Sequence, residues 1–400
     1  ICDGWYLFFQ YMKNKLSMKY PSSWWGAKWR EALPSGNGPV GAAVYGAVHD
    51  ETVMLTHEDL WHMVVTQDLP DVCGMLPEVR RLLADRMVHA ADHMLADELK
   101  RRGYDPDIGY PLPLADFKIK MPVSRGFRDY RRELDMETGE VLVRWNDRGV
   151  SYQRKLFVSR ADDVVLMEIE SDGGDLTASL TLDLHDPLDA RTLKHGEAPL
   201  PQAVEVHADD NEYICYAALN DDGYDFGAVA RVVSSSCTLT ADAGSIHATE
   251  GNKVLIAIKV FTHEKRQEAW SRLQVELDGL EMDYQKLLAP HVELHGEMFR
   301  RVEVDLGATE EEHAVCNEEL LLDAYQGEAP VALLEKMWSY GRYLLISSSR
   351  EGGQPCHLYG NWCGEYRGYW AFNMTNENMP VSYTHLSLPT MRLRCRSRGW

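Results

Sequence analysis

Apolar positions follow two periods along this chain, and the change from one to the other divides it. Over 128–188 the pattern is that of strands. YRRELDMETGEVLVRW predicts a hairpin turning at Thr138 and Gly139. Tyr152, Arg154, Leu156 and Val158 alternate after it, and a solid apolar run fills 164–169. Alternation resumes over 177–184, and further strands are predicted over 213–217, 227–233, 245–248 and 254–260. Ahead of all these, Pro34, Gly36, Asn37 and Gly38 form a tight turn before a buried strand over 40–48 and another over 51–55. So many strands joined by polar turns predict a large antiparallel sandwich.

Helical spacing appears first over 76–102, where Val79, Leu82, Leu83, Met87, Ala91, Leu95 and Leu99 predict one amphipathic helix. His89 and His93 stand there at i, i+4, a spacing that can hold a metal. No third ligand lies near them in sequence, so they read as surface residues. Past Thr262 the helical period takes over. A helix is predicted over 267–288, an acidic loop over 310–312, and helices over 318–325 and 331–345. Ser347, Ser348 and Ser349, then Gly352 and Gly353, end the last one with turn chemistry.

The loop behind that helix has an unusual composition. Gln354, His357, Tyr359, Asn361, Trp362, Glu365, Tyr366, Arg367, Tyr369 and Trp370 crowd aromatic and polar groups into a few residues. The mixture suits a neutral, hydroxyl-covered ligand such as a sugar. Composition alone favours the plainer reading, a loop that only caps a helical core.

These residues also carry a resemblance. GRYLLISSS, then GGQP, then Gly360, Asn361 and Trp362 resemble the start of the catalytic barrel in family 95 glycoside hydrolases, which are inverting α-L-fucosidases and close relatives. The opening ALPSGNG, then GAAVYG, then Glu58, Leu60 and Trp61 is similar to the same family, as is the order YRRELD, TG, YQRKLFVSRADDV. The resemblance covers residues 24–379 and is strongest at the two ends of that span. It implies a mainly β fold with α: a large antiparallel β-sandwich, linker helices, and the first helices of a truncated (α/α)6 barrel. The implied division is 18–262 for the sandwich, 263–309 for the linker, with a helix running into a short strand over 287–307, and 310–380 for the start of the barrel.

In function the resemblance implies a fragment of an inverting hydrolase acting on terminal α-L-fucosyl or α-L-galactosyl residues. Asn376 and Asn378 would hold the attacking water. Asn373 is the alternative, since an ungapped match there puts Thr375 at the second position. His357, Trp362 and Trp370 would contact the sugar. Amides cannot take a proton at neutral pH, so carboxylates must complete such a site. The family's acid Glu and assisting Asp match nothing here, and the chain is expected to be inactive alone. Asn37 and Glu58 could touch sugar, but turn formation and packing explain them as well. Two rivals are a disaccharide phosphorylase of the same sandwich-plus-barrel architecture and a non-catalytic carbohydrate-binding sandwich.

Charge narrows the partners. Against 62 acidic residues stand 41 Lys and Arg, a formal charge of −21, which argues against nucleic acid or an anionic membrane and is compatible with a neutral carbohydrate. Eight cysteines lack paired spacing, which points to free thiols in a reducing compartment; no metal or other cofactor is expected. The first 17 residues fit no signal peptide and read as a non-native leader, with a cytoplasmic location expected. Residues 381–400 bring Arg392, Arg394, Arg396 and Arg398 and read as an artefactual tail resembling translated sequencing adapter. Neither end is expected to pack on the rest.

Overall fold

The computed structural model describes residues 13–23, 27–62, 68–104, 109–122, 126–187, 200–209 and 212–368. Two antiparallel sheets face each other. The larger has nine strands in the spatial order Lys15–Met18, Arg128–Asp135, Glu140–Asp147, Val150–Val158, Val165–Asp172, Lys253–Glu264, Asp225–Val233, Tyr213–Leu219 and Gln202–Asp209. The smaller has seven: Thr238–Asp242, Ser245–Gly251, Leu176–Asp183, Ala115–Lys120, Asp50–His57, Val40–Val44 and Leu33–Gly36. Leu134, Val143, Leu156, Met167 and Ile256 of the first sheet meet Val53, Leu55, Phe117, Ile119 and Leu180 of the second in one core.

The unbroken apolar runs now have a cause. Helices α3 (Arg266–Asp278) and α4 (Tyr284–Arg300) lie on the outer face of the larger sheet. Ala269, Trp270, Leu273, Tyr284 and Leu287 cover Phe157, Leu166, Cys215, Val229 and Ala257, so the central strands are buried on both faces. Strands outside this cover, such as Glu140–Asp147, keep strict alternation. The hairpin at Gly139 is present, with that residue at φ +68°.

Several expectations need correction. The helix foreseen over 76–102 is two helices, α1 (Leu76–Ala84) and α2 (Val88–Arg101). Arg86 sits between them at φ +59°, while Arg86 N–H donates to Leu83 O and Met87 N–H to Leu82 O. That is a Schellman ending built on arginine instead of glycine, and an arginine gives no sequence signal for a stop. His89 and His93 on α2 are exposed, and no metal-holding group of residues occurs among the described residues. The helix foreseen over 267–288 also breaks, at Gly279. Asp283 starts the next one by accepting from Gln285 and Lys286 N–H groups. No strand forms over 302–307, and the acidic stretch is a short helix, α5 (Glu310–Ala314), closed by a Thr309–Glu312 capping box.

The division at Met18 falls inside a strand. Lys15–Met18 pairs with Arg128–Asp135, Leu16 is buried in the core, and Lys15 O accepts from Lys336 Nζ. Residues 13–17 therefore belong to the fold, whereas 1–12 and 381–400 lie outside the described residues. Helices α6 (Asn317–Gln326) and α7 (Val331–Ser347) complete the described fold. No helix among the described residues is long and apolar enough to cross a membrane, and the six described cysteines are free thiols.

Candidate functional site

Helix α7 and the loop after it converge on the tight turn near the start of the chain. Tyr343 on α7 is fully buried. Its hydroxyl donates to Pro34 O at 2.7 Å and its ring meets His295 edge-on. Trp338, one turn earlier, is 37% exposed. The difference is one of helix face: Tyr343 and Ile346 point into the sandwich core and Trp338 away from it.

The end of α7 is held by the sandwich. Gly38 N–H donates to Ser347 O at 2.9 Å, and the buried Arg160 guanidinium donates to Ile346 O and to Ser349 O. A cation at the negative end of a helix is favourable, and it satisfies carbonyls the helix leaves open. Burial pulls this guanidinium down to about 10, and Arg350 adds to the shift.

The loop then lies along the same turn. Asn361 Nδ2 donates to Gly38 O and Pro39 O at 2.7 and 2.9 Å, and Trp362 Nε1 donates to Ser35 O at 3.0 Å. Two glycines make room. A Cβ on Gly36 would stand 2.5 Å from Ser347 O, and one on Gly41 would stand 2.9 Å from Trp362 Nε1. Asn37 is fully buried, donating to Ser159 O and Asp163 while its own oxygen takes Val40 N–H. It shapes the turn, as Glu58 shapes the loop by accepting Gln354 N–H at 3.1 Å.

Further along, buried polar pairs clamp the loop. His185 contacts Asp116 Oδ1 through Nδ1 at 2.7 Å and Gly364 O through Nε2 at 2.8 Å, while Tyr366 donates its hydroxyl to His185 O. Glu365 is buried and meets Arg30 at 2.7 Å, and that guanidinium lies over the Trp29 and Tyr359 rings.

Between α7 and the loop opens a pocket of about 380 Å³, lined among others by Leu344, Leu345, His357, Leu358, Tyr359 and Trp362. Two of the three anticipated sugar contacts, His357 and Trp362, are thus brought together on one cavity. Burial lowers His357 to about 4, so its imidazole is neutral at physiological pH. Its Nδ1 accepts from Tyr359 N–H and its ring meets Trp61 edge-on. Trp362 is only 5% exposed, so most of its surface serves packing. Trp370, Asn373, Asn376 and Asn378 lie outside the described residues. Sequence reasoning missed Arg30, Asp116, Arg160 and His185. ADFKIK alternates normally, with Ala115, Phe117 and Ile119 in the core and Asp116 on the other face, so nothing in the sequence signalled that Asp116 is buried.

Known proteins extend this picture. A family model described as glycosyl hydrolase family 65, N-terminal domain, matches residues 16–267, and one described as glycosyl hydrolase family 95 catalytic domain matches 283–388. "Alpha-L-fucosidase 2" from Arabidopsis thaliana is 27% identical over 92% of this chain and 46% of its own length. "Probable alpha-fucosidase A" from Aspergillus niger is 24% identical over 85% of this chain and 44% of its own length. The chain thus spans less than half the length of either relative. A solved human-microbiome structure, provisionally described as a kojibiose phosphorylase, aligns with 84% of the chain at 9% identity and a TM-score of 0.49, and carries no argument here. With the first model matching well over half of its residues, the chain belongs to the glycosyl hydrolases, a family 65-type N-terminal domain leading into a family 95 catalytic domain.

Proposed function

We propose that this chain carries the sandwich, linker helices and opening barrel helices of an inverting hydrolase. The enzyme would remove terminal α-L-fucosyl, or the related α-L-galactosyl, residues from glycans. The observation that carries the reading is the similarity to "Alpha-L-fucosidase 2", which runs through 92% of the chain and so crosses the junction of sandwich and helices. The loop clamp gives that junction a purpose. Asn373, Asn376 and Asn378 follow within about a dozen residues of the Glu365–Tyr366 clamp, so a rigid sandwich would position the amides that hold the attacking water. His357 and Trp362 would line the sugar side of the same region.

Inversion needs a proton donor and a carboxylate-backed water roughly 6.5–9.5 Å apart. The family's acid Glu and assisting Asp match nothing in this sequence, so the 400 residues alone should be silent. Loss of general acid catalysis alone lowers rates by about 10²–10⁴. The test is hydrolysis of an aryl α-L-fucoside by the product of the longer gene, followed by NMR of the first-formed sugar. Inverted fucose, released without phosphate, is expected. Retained configuration or a requirement for phosphate would sink the reading, and binding without turnover would turn it into a carbohydrate-binding module.

A further inference from the structure

The outer edge of the larger sheet carries a second cavity, remote in sequence from the loop clamp. It measures about 520 Å³ and is lined by Lys19, Tyr20, Phe127, Asp129 and Tyr130 together with Arg128, Arg131 and Arg144. Four cations and one carboxylate thus line one groove in a chain whose formal charge is −21. Two features make this more than a chance cluster. Arg131 and Arg144 are direct cross-strand partners, and like charges in that position repel unless something compensates them. The one carboxylate between them is shared: Glu133 stands 3.5 Å from one and 3.8 Å from the other, while Glu319, which also acts on Arg131, is already paired with Lys19.

The second feature is how the groove is formed. The register shifts between Arg128 and Arg131, with Asp129 at φ +55°, so alternation fails and four consecutive residues, 128–131, line the same cavity. Two aromatic side chains border it in the open, Tyr20 at 67% and Phe127 at 42% exposure. Guanidinium forks match carboxylate or sulfate oxygens in pairs, and exposed aromatic faces suit the C–H face of a pyranose.

We propose that this groove is an accessory site for an anionic sugar, a hexuronate or a sulfate-bearing residue of a glycan. Arg128, Arg131 and Arg144 hold the anion, and Tyr20 or Phe127 stacks on the ring. That the ligand is a saccharide rests on the carbohydrate reading above; that it is anionic rests on the groove itself. The site lies beside α6, since Lys19 N–H donates to Glu318 and Lys19 Nζ meets Glu319. A charged branch bound here would therefore be held next to the first helices of the catalytic domain.

The test is calorimetric titration of the 400-residue chain with four probes: tetragalacturonate, a sulfated galactose tetrasaccharide, maltotetraose and inorganic sulfate. One or both anionic tetrasaccharides should bind, more weakly as salt rises, and which of them binds identifies the anion. Arg128→Ala and Arg144→Ala should each weaken binding about tenfold, the effect of losing one charge-assisted hydrogen bond. Arg144→Lys should retain part of it, and Tyr20→Ala should weaken the saccharide but not inorganic sulfate. Both arginines are exposed, and unchanged melting temperatures would show that the variants fold. Any one of three results overturns the proposal: neither anionic saccharide binds, binding survives the double arginine variant, or inorganic sulfate binds as tightly as the saccharides. None of these depends on fucoside hydrolysis. A longer protein that leaves fucosides intact while this chain binds the anionic sugar would remove the fucosidase reading and keep the groove.

Discussion

The sandwich is covered in two places, and the two covers are built differently. Helices α3 and α4 close the outer face of the larger sheet through apolar contact, Trp270, Leu273 and Leu277 against Phe157, Leu166 and Val229. Helix α7 and its loop close the turn at 34–39 through buried polar groups: Arg160 on the helix end, Asn361 on Gly38 and Pro39, His185 on Gly364. An apolar seal gains roughly 25 cal/mol per Å² wherever it slides, whereas a buried hydrogen bond is lost entirely by a small displacement. The first cover supplies stability. The second sets one position for the segment that leads toward the candidate catalytic amides.

The comparison can be broken from either side. Trp270→Ala should have the largest effect, about 3–5 kcal/mol, because it removes a buried indole and its hydrogen bond to Tyr216 O. Urea unfolding measures it, and a loss below 1 kcal/mol would mean that the apolar cover is dispensable. Arg160→Met should cost about 2–3 kcal/mol by leaving buried carbonyls at the end of α7 without a donor. Hydrogen exchange should then rise in 331–368 before it rises in the central strands; uniform loss of protection would show that the polar cover is not a separable unit.

Acid should act between the two covers. His291 and His295 are buried on α4, the first accepting Arg160 N–H and both reaching the 136–138 hairpin. Burial lowers His291 to about 4 and pushes His295 well below its ordinary 6.5. The folded state holds both rings neutral while the unfolded chain protonates near 6.5. Their contribution is therefore full above 6.5 and is lost as pH falls toward 4. One pH unit below 6.5 should cost on the order of 1 kcal/mol for each ring. Melting followed from pH 7.5 to 5 checks this, and His291→Gln, which keeps a neutral donor and acceptor, should flatten the slope. Tyr343→Phe should have the smallest effect, about 0.5–1.5 kcal/mol, from its single hydrogen bond to Pro34 O. A larger loss would move part of the apolar role to this side.

What could be read early follows the same contrast. Alternation at Leu156 and Val158, and the solid run at 164–169, announced strands, because burial on one face or on two leaves a linear trace. Ser347 to Ser349 marked the end of α7 correctly. The stop at Arg86 left no trace, since a left-handed residue there needs only local hydrogen bonds that an arginine backbone also makes. The resemblance was strongest over 29–61 and 333–370, and the structure shows why. Those two stretches touch, Gly36 against Ser347 and Gly41 against Trp362, so each restricts the residues the other can carry.

The sequence by itself determined the class of fold, the order of strands before helices and the family, because periodicity and ordered motifs are properties of neighbours along the chain. It also named His357 and Trp362, which do share a cavity. Only the tertiary structure decided that Leu16 belongs to the core, that Tyr343 is buried, and that Arg160, Asp116 and His185 hold the loop. It alone set Arg131 opposite Arg144 on adjoining strands. A polar side chain looks the same in sequence whether it meets water or a carbonyl 186 residues away, as Arg160 meets Ile346 O. Its role is set by the partner, and partners are chosen only when the sheets close.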